Sequence, residues 1–156
     1  MPSEIKLVAT DIDGVWTDAR MHYTDKGDYM KSFSTYDGMG VQLLKEKNIE
    51  TVIITSENSN IVLQRAKKLN ISNVHIGIKN KLEIIKKICL EKDISLNEVA
   101  YIGDDLNDID VLKVVGFSAL TQNSPIKNQI KVDYITDTKG GDGAFREFVD
   151  VILKNK

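Results

Sequence analysis

The chain has little cysteine and little proline: one cysteine, Cys89, and two prolines occur among its 156 residues. A single cysteine excludes an internal disulfide framework and a metal site built from several thiolates. No apolar run approaches the roughly 18 residues that a membrane-spanning helix needs, so we expect no membrane partner. Residues 1–6 lack the apolar core of a signal peptide, which leads us to expect a cytoplasmic protein.

An excess of charge of one sign is also absent. The 21 basic residues nearly balance the 23 acidic ones, and the formal net charge is −2 at pH 7. This balance offers no basic surface for nucleic acid, so we expect no nucleic-acid partner. A hydrophobic fraction of 42% and a charged fraction of 28% are typical of a soluble globular protein. Because 156 residues match the usual size of one domain, we predict a single domain over residues 1–156.

Short β-branched and apolar segments alternate with helical patterns along the chain. Strands are predicted at residues 7–10, 50–55, 74–76, 99–102, 117–119 and 134–135. Helices are predicted near residues 39–47, 58–69, 80–92, 106–115 and 125–130, and a last helix carries Phe145, Phe148, Val149 and Ile152 at helical spacing. This alternation predicts an α/β fold, with a mostly parallel sheet that helices cover on both faces.

One segment interrupts this order, over about residues 20–33. Two short strand patterns flank a turn at residues 25–28, which predicts a β-hairpin. The hairpin carries five apolar side chains: Met21, Tyr23, Tyr29, Met30 and Phe33. Because a two-stranded hairpin is marginally stable alone in water, these side chains need a cover. We therefore predict that the hairpin serves oligomerisation.

Aspartates follow two of the predicted strands. Asp11 and Asp13 come directly after the first strand, and Asp104, Asp105 and Asp108 follow the strand at residues 99–102. In an open parallel sheet, the chemistry lies beyond the carboxyl ends of the strands. Carboxylates from two such ends can converge on one hard cation such as Mg²⁺. Each cluster alone is also typical of a solvated turn.

Two further polar residues stand at comparable places. Thr55 ends a third predicted strand, and Lys81 opens a predicted helix. A hydroxyl group and an ammonium group at these points suit a phosphate beside the metal. A threonine or a lysine alone means little, but the order of acid pair, hydroxyl, lysine and acid cluster favours a joint function.

These motifs resemble the haloacid dehalogenase superfamily of phosphotransferases. The matching residues are Asp11-x-Asp13-Gly14-Val15-x-Thr17-Asp18, then Thr55, Lys81 and Gly103-Asp104-Asp105-x-x-Asp108. Within the superfamily, the chain is similar to the small capless group that includes octulosonate 8-phosphate phosphatases. That similarity rests on Lys31-x-Phe33, Asp37-Gly38 and Gly140-Gly141-x-Gly143-Ala144-Phe145-Arg146-Glu147. The resemblance implies a Rossmann-like three-layer sandwich and a Mg²⁺-dependent phosphatase.

The resemblance also implies roles for the first acid pair. Asp11 would be the nucleophile that takes the phosphoryl group, and Asp13 would be the general acid and then the general base. The metal ligands would be the Asp11 carboxylate, the Asp13 backbone carbonyl and the Asp104 carboxylate, with waters completing the shell. An ionised Asp11 can attack, whereas Asp13 has to exchange a proton.

The remaining motif residues would support this chemistry. Thr55 and Lys81 would bind the non-bridging phosphate oxygens and stabilise charge in the transition state. Asp105 and Asp108 would hold waters and orient Lys81 rather than bind the metal directly.

Two substrate classes stay open. Thr55 is followed by Ser56-Glu57, whereas octulosonate phosphatases usually have Gly-Arg there. Glu57 with Arg65 and Lys68 resembles phosphatases of nine-carbon keto acids, and we lean towards such a sialic-acid-type or nonulosonate 9-phosphate. Asp37-Gly38 resembles the loop of the octulosonate group, with Asp37 as a further substrate residue. The 3-deoxy-manno-octulosonate 8-phosphate is therefore the alternative substrate.

Two other classes of function are weighed against the enzyme. A phospho-receiver domain also gathers acids, a hydroxyl and a lysine around Mg²⁺, but it lacks the second acid that Asp13 provides. A non-catalytic assembly domain, fused elsewhere to a cytidylyltransferase, would not need intact Asp11, Asp13, Lys81 and Asp104.

The resemblance finally implies an assembly. A chain of this length has no separate cap domain over its active site, and capless relatives join four hairpins into a central barrel. We therefore expect a homotetramer in which a neighbouring subunit covers the site, with Arg65 and the segment 140–143 near a site that is not their own.

Overall fold

The main sheet of the computed structural model, which describes residues 4–156, contains six strands in the order β5-β4-β1-β6-β7-β8. These strands are β1 (Leu7–Thr10), β4 (Glu50–Ile54), β5 (Asn73–His75), β6 (Val99–Gly103), β7 (Phe117–Leu120) and β8 (Tyr134–Ile135). All neighbouring strands in this sheet are parallel. Thr10 pairs with Ile53 on one side and with Ile102 on the other, so the carboxyl ends of the three central strands are level.

Helices cover both faces of the sheet. They are α1 (Thr35–Glu46), α2 (Asn60–Lys68), α3 (Lys81–Lys92), α4 (Ile109–Leu112) and α5 (Ala144–Lys154), with short 3₁₀ turns at Leu96–Glu98 and Leu106–Asp108. Successive strand residues point to opposite faces. Val8 accordingly packs in the core beneath α1, α2 and α5, whereas Leu7 and Ala9 pack beneath α3 and α4. The predicted three-layer α/β fold is confirmed.

The predicted helix at residues 125–130 is wrong. The backbone there forms successive turns, in which Lys127 N donates to Ser124 O (3.5 Å) and Gln129 N donates to Ile126 O (2.8 Å). These bonds span three residues rather than the four of an α-helix. The Ser124 hydroxyl group donates to the Asp104 carbonyl (2.6 Å) and accepts from Ile126 N (3.3 Å), so it caps the first of these turns and ties it to the acidic loop.

The hairpin forms a separate antiparallel sheet of β2 (His22–Thr24) and β3 (Gly27–Met30). Tyr23 is 62% exposed and Tyr29 is 57% exposed, so this pair of strands presents aromatic surface to the outside of the subunit. Within residues 4–156, no helix combines the length and the apolarity that crossing a bilayer requires.

Candidate active site

The level ends of β1, β4 and β6 bring the predicted acidic motifs into one pocket of about 240 Å³. Six of the predicted site residues line it: Asp11, Asp13, Thr55, Glu57, Asp104 and Asp105. Ser56 and Asn107 lie at the same pocket, where the Asn107 side-chain amide donates to the Ser56 hydroxyl group (2.9 Å). The geometry therefore unites motifs that are up to 94 residues apart in the sequence, from Asp11 to Asp105.

Asp11 continues β1 by one residue, since its N–H still donates to Ile102 O at 3.1 Å. Its carboxylate is 4% exposed, and Oδ1 accepts from Ile12 N (2.7 Å). The Asp11 carbonyl accepts from the Thr10 hydroxyl group (2.7 Å), which in turn accepts from Trp16 Nε1 (3.0 Å). These contacts hold the carboxylate in one orientation at the end of the strand.

Asp104 faces Asp11 from the end of β6. Its N–H donates to Asp108 Oδ2 (2.9 Å), and its carbonyl accepts from the Ser124 hydroxyl group (2.6 Å). Gly14 makes this approach possible, because a Cβ atom at that position would collide with the Asp104 carboxylate. Gly14 also has a φ of 86°, a left-handed conformation that disfavours other residues.

The Asp108 carboxylate is fully buried and saturated with donors. Oδ1 accepts from Lys81 Nζ (2.8 Å) and from the Tyr101 hydroxyl group, while Oδ2 accepts from the backbone N–H groups of Asp104 and Asp105. Asp108 therefore positions the lysine and the acidic loop. Tyr101 was missed by the sequence analysis, because its place inside an apolar strand gives no sign of a polar partner.

Asp11, Asp104 and Asp108 each place a carboxylate oxygen within 4.8 Å of the others. Since Asp108 already has four donors, Asp11 and Asp104 are the carboxylates left to bind a metal. Burial, followed by the charge of neighbouring carboxylates, raises the pKa of both Asp11 and Asp104. A divalent cation between them would offset this repulsion, and an all-oxygen donor set suits Mg²⁺.

Lys81 is the first residue of α3 and is 2% exposed. Its Nζ lies 3.1 Å from Asp11 Oδ1 and 2.8 Å from Asp108 Oδ1. Burial alone would lower the pKa of Lys81, but the charges of Asp11 and Asp108 outweigh that effect and raise it. The structure thus places a permanent positive charge beside the carboxylate that the sequence analysis assigned as the nucleophile.

Asp13 lies on the other side of the pocket, against the base of the hairpin. Its Oδ1 accepts from Lys31 Nζ at 2.8 Å, and the Lys31 side chain is completely buried. Burial alone would lower the pKa of Lys31. The hydrogen bond to Asp13 and the charges of Asp13 and Asp28 outweigh burial and raise the pKa of Lys31. No role for Lys31 could be predicted from the sequence, in which its only signal was the Lys31-x-Phe33 pattern.

The predicted substrate residues are not all brought together. Glu57 is exposed and lines the pocket. Lys68 is exposed on α2 and lines a separate depression with Gly38 and Gln42. The Arg65 guanidinium lies over the Phe33 ring, 5.6 Å from its centroid.

Asp37 is 0% exposed within the described chain, and its role as a substrate residue stays a prediction. Its Oδ1 accepts from Arg146 N (2.9 Å), in the first turn of α5. The residue before α5, Gly143, has no side chain to cap the helix, and the Asp37 carboxylate on α1 supplies the missing acceptor. Burial raises the pKa of Asp37 to about 6, although the Arg146 N–H and two nearby arginines oppose the shift.

The glycines before α5 pack against the Asp11–Asp18 loop of the same chain. Gly141 N donates to Val15 O (3.3 Å), and a Cβ atom at Gly140 would collide with the Gly14 carbonyl. The close packing of Gly140 and Gly141 against the loop explains the need for glycine there. The expectation that this segment also reaches the site of a neighbouring subunit stays a prediction.

Comparison with known proteins gives the family. A model of the haloacid dehalogenase-like hydrolases matches residues 47–148. The 3-deoxy-D-manno-octulosonate 8-phosphate phosphatase of Haemophilus influenzae is 35% identical over 150 residues, which cover 96% of this chain and 83% of that protein.

Solved structures agree over nearly the whole chain. The same phosphatase from Moraxella catarrhalis, in complex with magnesium, phosphate and 3-deoxy-D-manno-octulosonate (KDO), has a TM-score of 0.92 and 39% identity, covering 97% of this chain and 87% of that one. A cobalt-bound form of the Haemophilus influenzae enzyme has a TM-score of 0.92 and 34% identity, covering 97% and 88%. With the acidic centre described above, these findings confirm the prediction of a Mg²⁺ cofactor. The chain therefore belongs to the haloacid dehalogenase-like hydrolase family and is a phosphatase of that family.

Proposed function

We propose that the chain hydrolyses the 8-phosphate ester of 3-deoxy-D-manno-octulosonate through an aspartyl-phosphate intermediate on Asp11. The observation that carries this proposal is the convergence of Asp11 and Asp104 at one pocket, with Lys81 Nζ 3.1 Å from Asp11 Oδ1. The substrate is supported by the relatives named above, which share about a third of their residues with this chain over nearly its whole length.

The reaction proceeds in two displacements. The Asp11 carboxylate attacks phosphorus, the bond from phosphorus to the sugar oxygen breaks, and Asp13 donates a proton to that leaving oxygen. A water molecule then gives a proton to Asp13 and attacks phosphorus. Inorganic phosphate leaves, and the Asp11 carboxylate is regenerated.

The surrounding residues supply orientation and charge. The Ile12 N–H and Lys81 hold Asp11 Oδ1, which keeps the nucleophile aligned during the attack. Lys81 and Thr55 stabilise the negative charge on the phosphoryl oxygens. The Asp11 and Asp104 carboxylates and the Asp13 carbonyl would hold Mg²⁺, whose positive charge would reduce the repulsion between the anionic phosphate and the Asp11 carboxylate.

A nine-carbon keto-acid 9-phosphate is the second candidate substrate, and Glu57 favours it. This carboxylate is exposed at the mouth of the pocket, where it can accept hydrogen bonds from sugar hydroxyl groups. The same charge would repel a sugar carboxylate that came close. The two candidates therefore differ in how the far end of the sugar lies relative to Glu57.

The deciding experiment is a phosphate-release screen with Mg²⁺ over both classes of sugar acid phosphate. We expect the eight-carbon substrate to have the higher kcat/KM, and Asp11→Asn protein to release no phosphate from either. A preference for the nine-carbon substrate by more than about tenfold would select the second candidate. Glu57→Arg should then move the ratio towards the shorter sugar. Stable phosphorylation without turnover would instead indicate a receiver domain.

We also propose that the active form is a homotetramer joined through the hairpins. Tyr23 and Tyr29 are more than half exposed on strands that have edges free to pair within the described fold. Light scattering at micromolar concentration tests this, since a fully active 17.5 kDa monomer would contradict it. The cytoplasmic location stays a prediction.

A further inference from the structure

A second buried ammonium group lies beside the pocket, at the base of the hairpin. The Lys31 side chain is 0% exposed. Its Nζ lies 2.8 Å from Asp13 Oδ1, 3.6 Å from Asp28 Oδ2 and 3.6 Å from Met21 Sδ. A buried ammonium is costly unless a carboxylate pairs with it, so these partners account for its presence inside the subunit.

Lys31 has one more carboxylate partner than neutralising its charge requires. One carboxylate balances one ammonium, and Asp28, three residues before Lys31 and the second residue of β3, would suffice for this. Yet the shorter contact is with Asp13, which comes from the loop after β1, 18 residues away in the sequence. The contact therefore joins the hairpin to Asp13, the residue assigned as the general acid in the proposed function.

We propose that Lys31 is a positioning residue for Asp13, which it holds in the orientation that proton transfer to the leaving oxygen requires. This inference rests on the proposed function, in which Asp13 is the general acid. An ammonium group has only donors, so it keeps Asp13 Oδ1 as an acceptor. Asp13 Oδ2 has no hydrogen-bond partner among residues 4–156, which leaves this oxygen available to the leaving group.

The hairpin is the anchor on the other side of the contact. Asp28 and Met21 flank the ammonium from β3 and from the residue before β2. Without the contact to Lys31, the Asp13 carboxyl group could rotate, and its oxygens would no longer keep one orientation relative to the leaving group. A general acid loses efficiency when its proton is misdirected, even if the rest of the site is intact.

The test uses two phosphate esters of similar shape, phenyl phosphate and p-nitrophenyl phosphate, with Mg²⁺-loaded protein. Phenolate is a basic leaving group that needs a proton, whereas p-nitrophenolate leaves without one. For Lys31→Met, we expect kcat/KM to fall about tenfold to 100-fold with phenyl phosphate and less than about threefold with p-nitrophenyl phosphate, since general acid catalysis is worth at most roughly 10²–10⁴-fold. Lys26→Met, at an exposed lysine in the same hairpin, should leave both values unchanged.

Equal losses with the two esters would overturn the proposal, because a merely structural role damages both reactions alike. No loss with either ester would also overturn it. If Lys31→Met does not fold, Asp28→Asn replaces it, since that variant loosens the second anchor of the ammonium and keeps Lys31 beside Asp13. The proposal then predicts a smaller loss in the same direction, and an unchanged ratio between the esters contradicts it.

A parallel measurement on Asp13→Asn separates this inference from the proposed function. If Asp13→Asn loses activity selectively with phenyl phosphate and Lys31→Met does not, only the role of Lys31 fails. If Asp13→Asn shows no dependence on the leaving group, Asp13 is not the general acid, and the proposed reaction fails with it.

Discussion

Two lysines of this molecule, Lys81 and Lys31, are each buried between two aspartates, yet the regions that hold them differ. Lys81 opens a helix that packs on the central sheet, and it contacts Asp108 at 2.8 Å. Lys31 follows a two-stranded hairpin outside that sheet, and it contacts Asp28 at 3.6 Å. The same arrangement, a lysine between two aspartates, therefore occurs once on the central sheet and once beside a two-stranded hairpin, which is marginally stable alone.

This difference separates two tasks at one pocket. The proposed nucleophile Asp11 and the proposed metal ligand Asp104 need a fixed separation, which the hydrogen bonds between β1 and β6 provide. The proposed general acid, Asp13, lies beside the hairpin, whose exposed tyrosines make its stability depend on a cover. We expect changes at the metal centre on the sheet to abolish the reaction, and loss of the Lys31 contact with Asp13 at the base of the hairpin to alter mainly the step that moves a proton.

Metal removal should affect the sheet-borne centre most. With excess chelator, we expect phosphate release to fall to background, because Asp11 and Asp104 would repel each other and the phosphate without a cation. Added Mg²⁺ should restore activity, whereas Ca²⁺ should inhibit, since it takes more ligands at longer distances and can engage both oxygens of Asp11. Colorimetric detection of phosphate measures the rate under each condition. Full activity in excess chelator would contradict a metal-dependent mechanism.

Replacing the nucleophile should come next in size. In Asp11→Asn, turnover should fall by roughly 10⁴-fold or more, the scale on which a catalytic unit fails when its nucleophile is lost. The matched control is Asp110→Asn, an exposed aspartate near the second acidic cluster. Initial rates of phosphate release compare the two, and near-normal turnover by the Asp11→Asn protein would disprove the assignment.

Replacing Lys81 should sharpen the contrast with Lys31. In Lys81→Met, kcat should fall by roughly 10²–10³-fold, because a preorganised charge beside the phosphoryl group is lost. The loss should be equal for phenyl and p-nitrophenyl phosphate, since that charge does not act on the leaving group. Lys86→Met, an exposed position on the same helix, is the control. A loss confined to phenyl phosphate would mean that the two lysines share one role.

Much of the sheet and of its acidic edge could be predicted from the sequence. Parallel strands that are buried on both faces read as β-branched runs, as Val52-Ile53-Ile54 does, and this signal is local. Asp11 and Asp104 followed from a rule of topology, because residues after parallel strands share one edge of the sheet. Local pattern and topology were sufficient for these residues.

Tertiary packing decided the rest, and no local pattern contains it. Ser124 and Pro125 look like a helix start, but the Ser124 hydroxyl group binds the Asp104 carbonyl and the segment forms turns. Tyr101 reads as one more apolar strand residue, although its hydroxyl group donates to Asp108. Asp37 resembles a substrate residue, yet α1 and α5 enclose it completely. Which polar groups become buried depends on how the layers meet.

The smallest expected effect concerns Asp37, a buried carboxylate that forms no ion pair with either lysine. Its pKa is about 6 in the folded protein because of burial, against 3.8 normally. As the pH rises from 4 to 6, the unfolded chain therefore loses this proton first, and the free energy of unfolding decreases by up to roughly 3 kcal/mol. Asp37→Asn keeps the acceptor for Arg146 N but cannot ionise. We expect urea unfolding to show equal stability of both proteins near pH 4 and a more stable variant at pH 7, with Asp25→Asn, at an exposed turn, as the control. If the free energy of unfolding depends on pH in the same way for Asp37→Asn and the unmodified protein, ionisation of the buried Asp37 does not destabilise the fold.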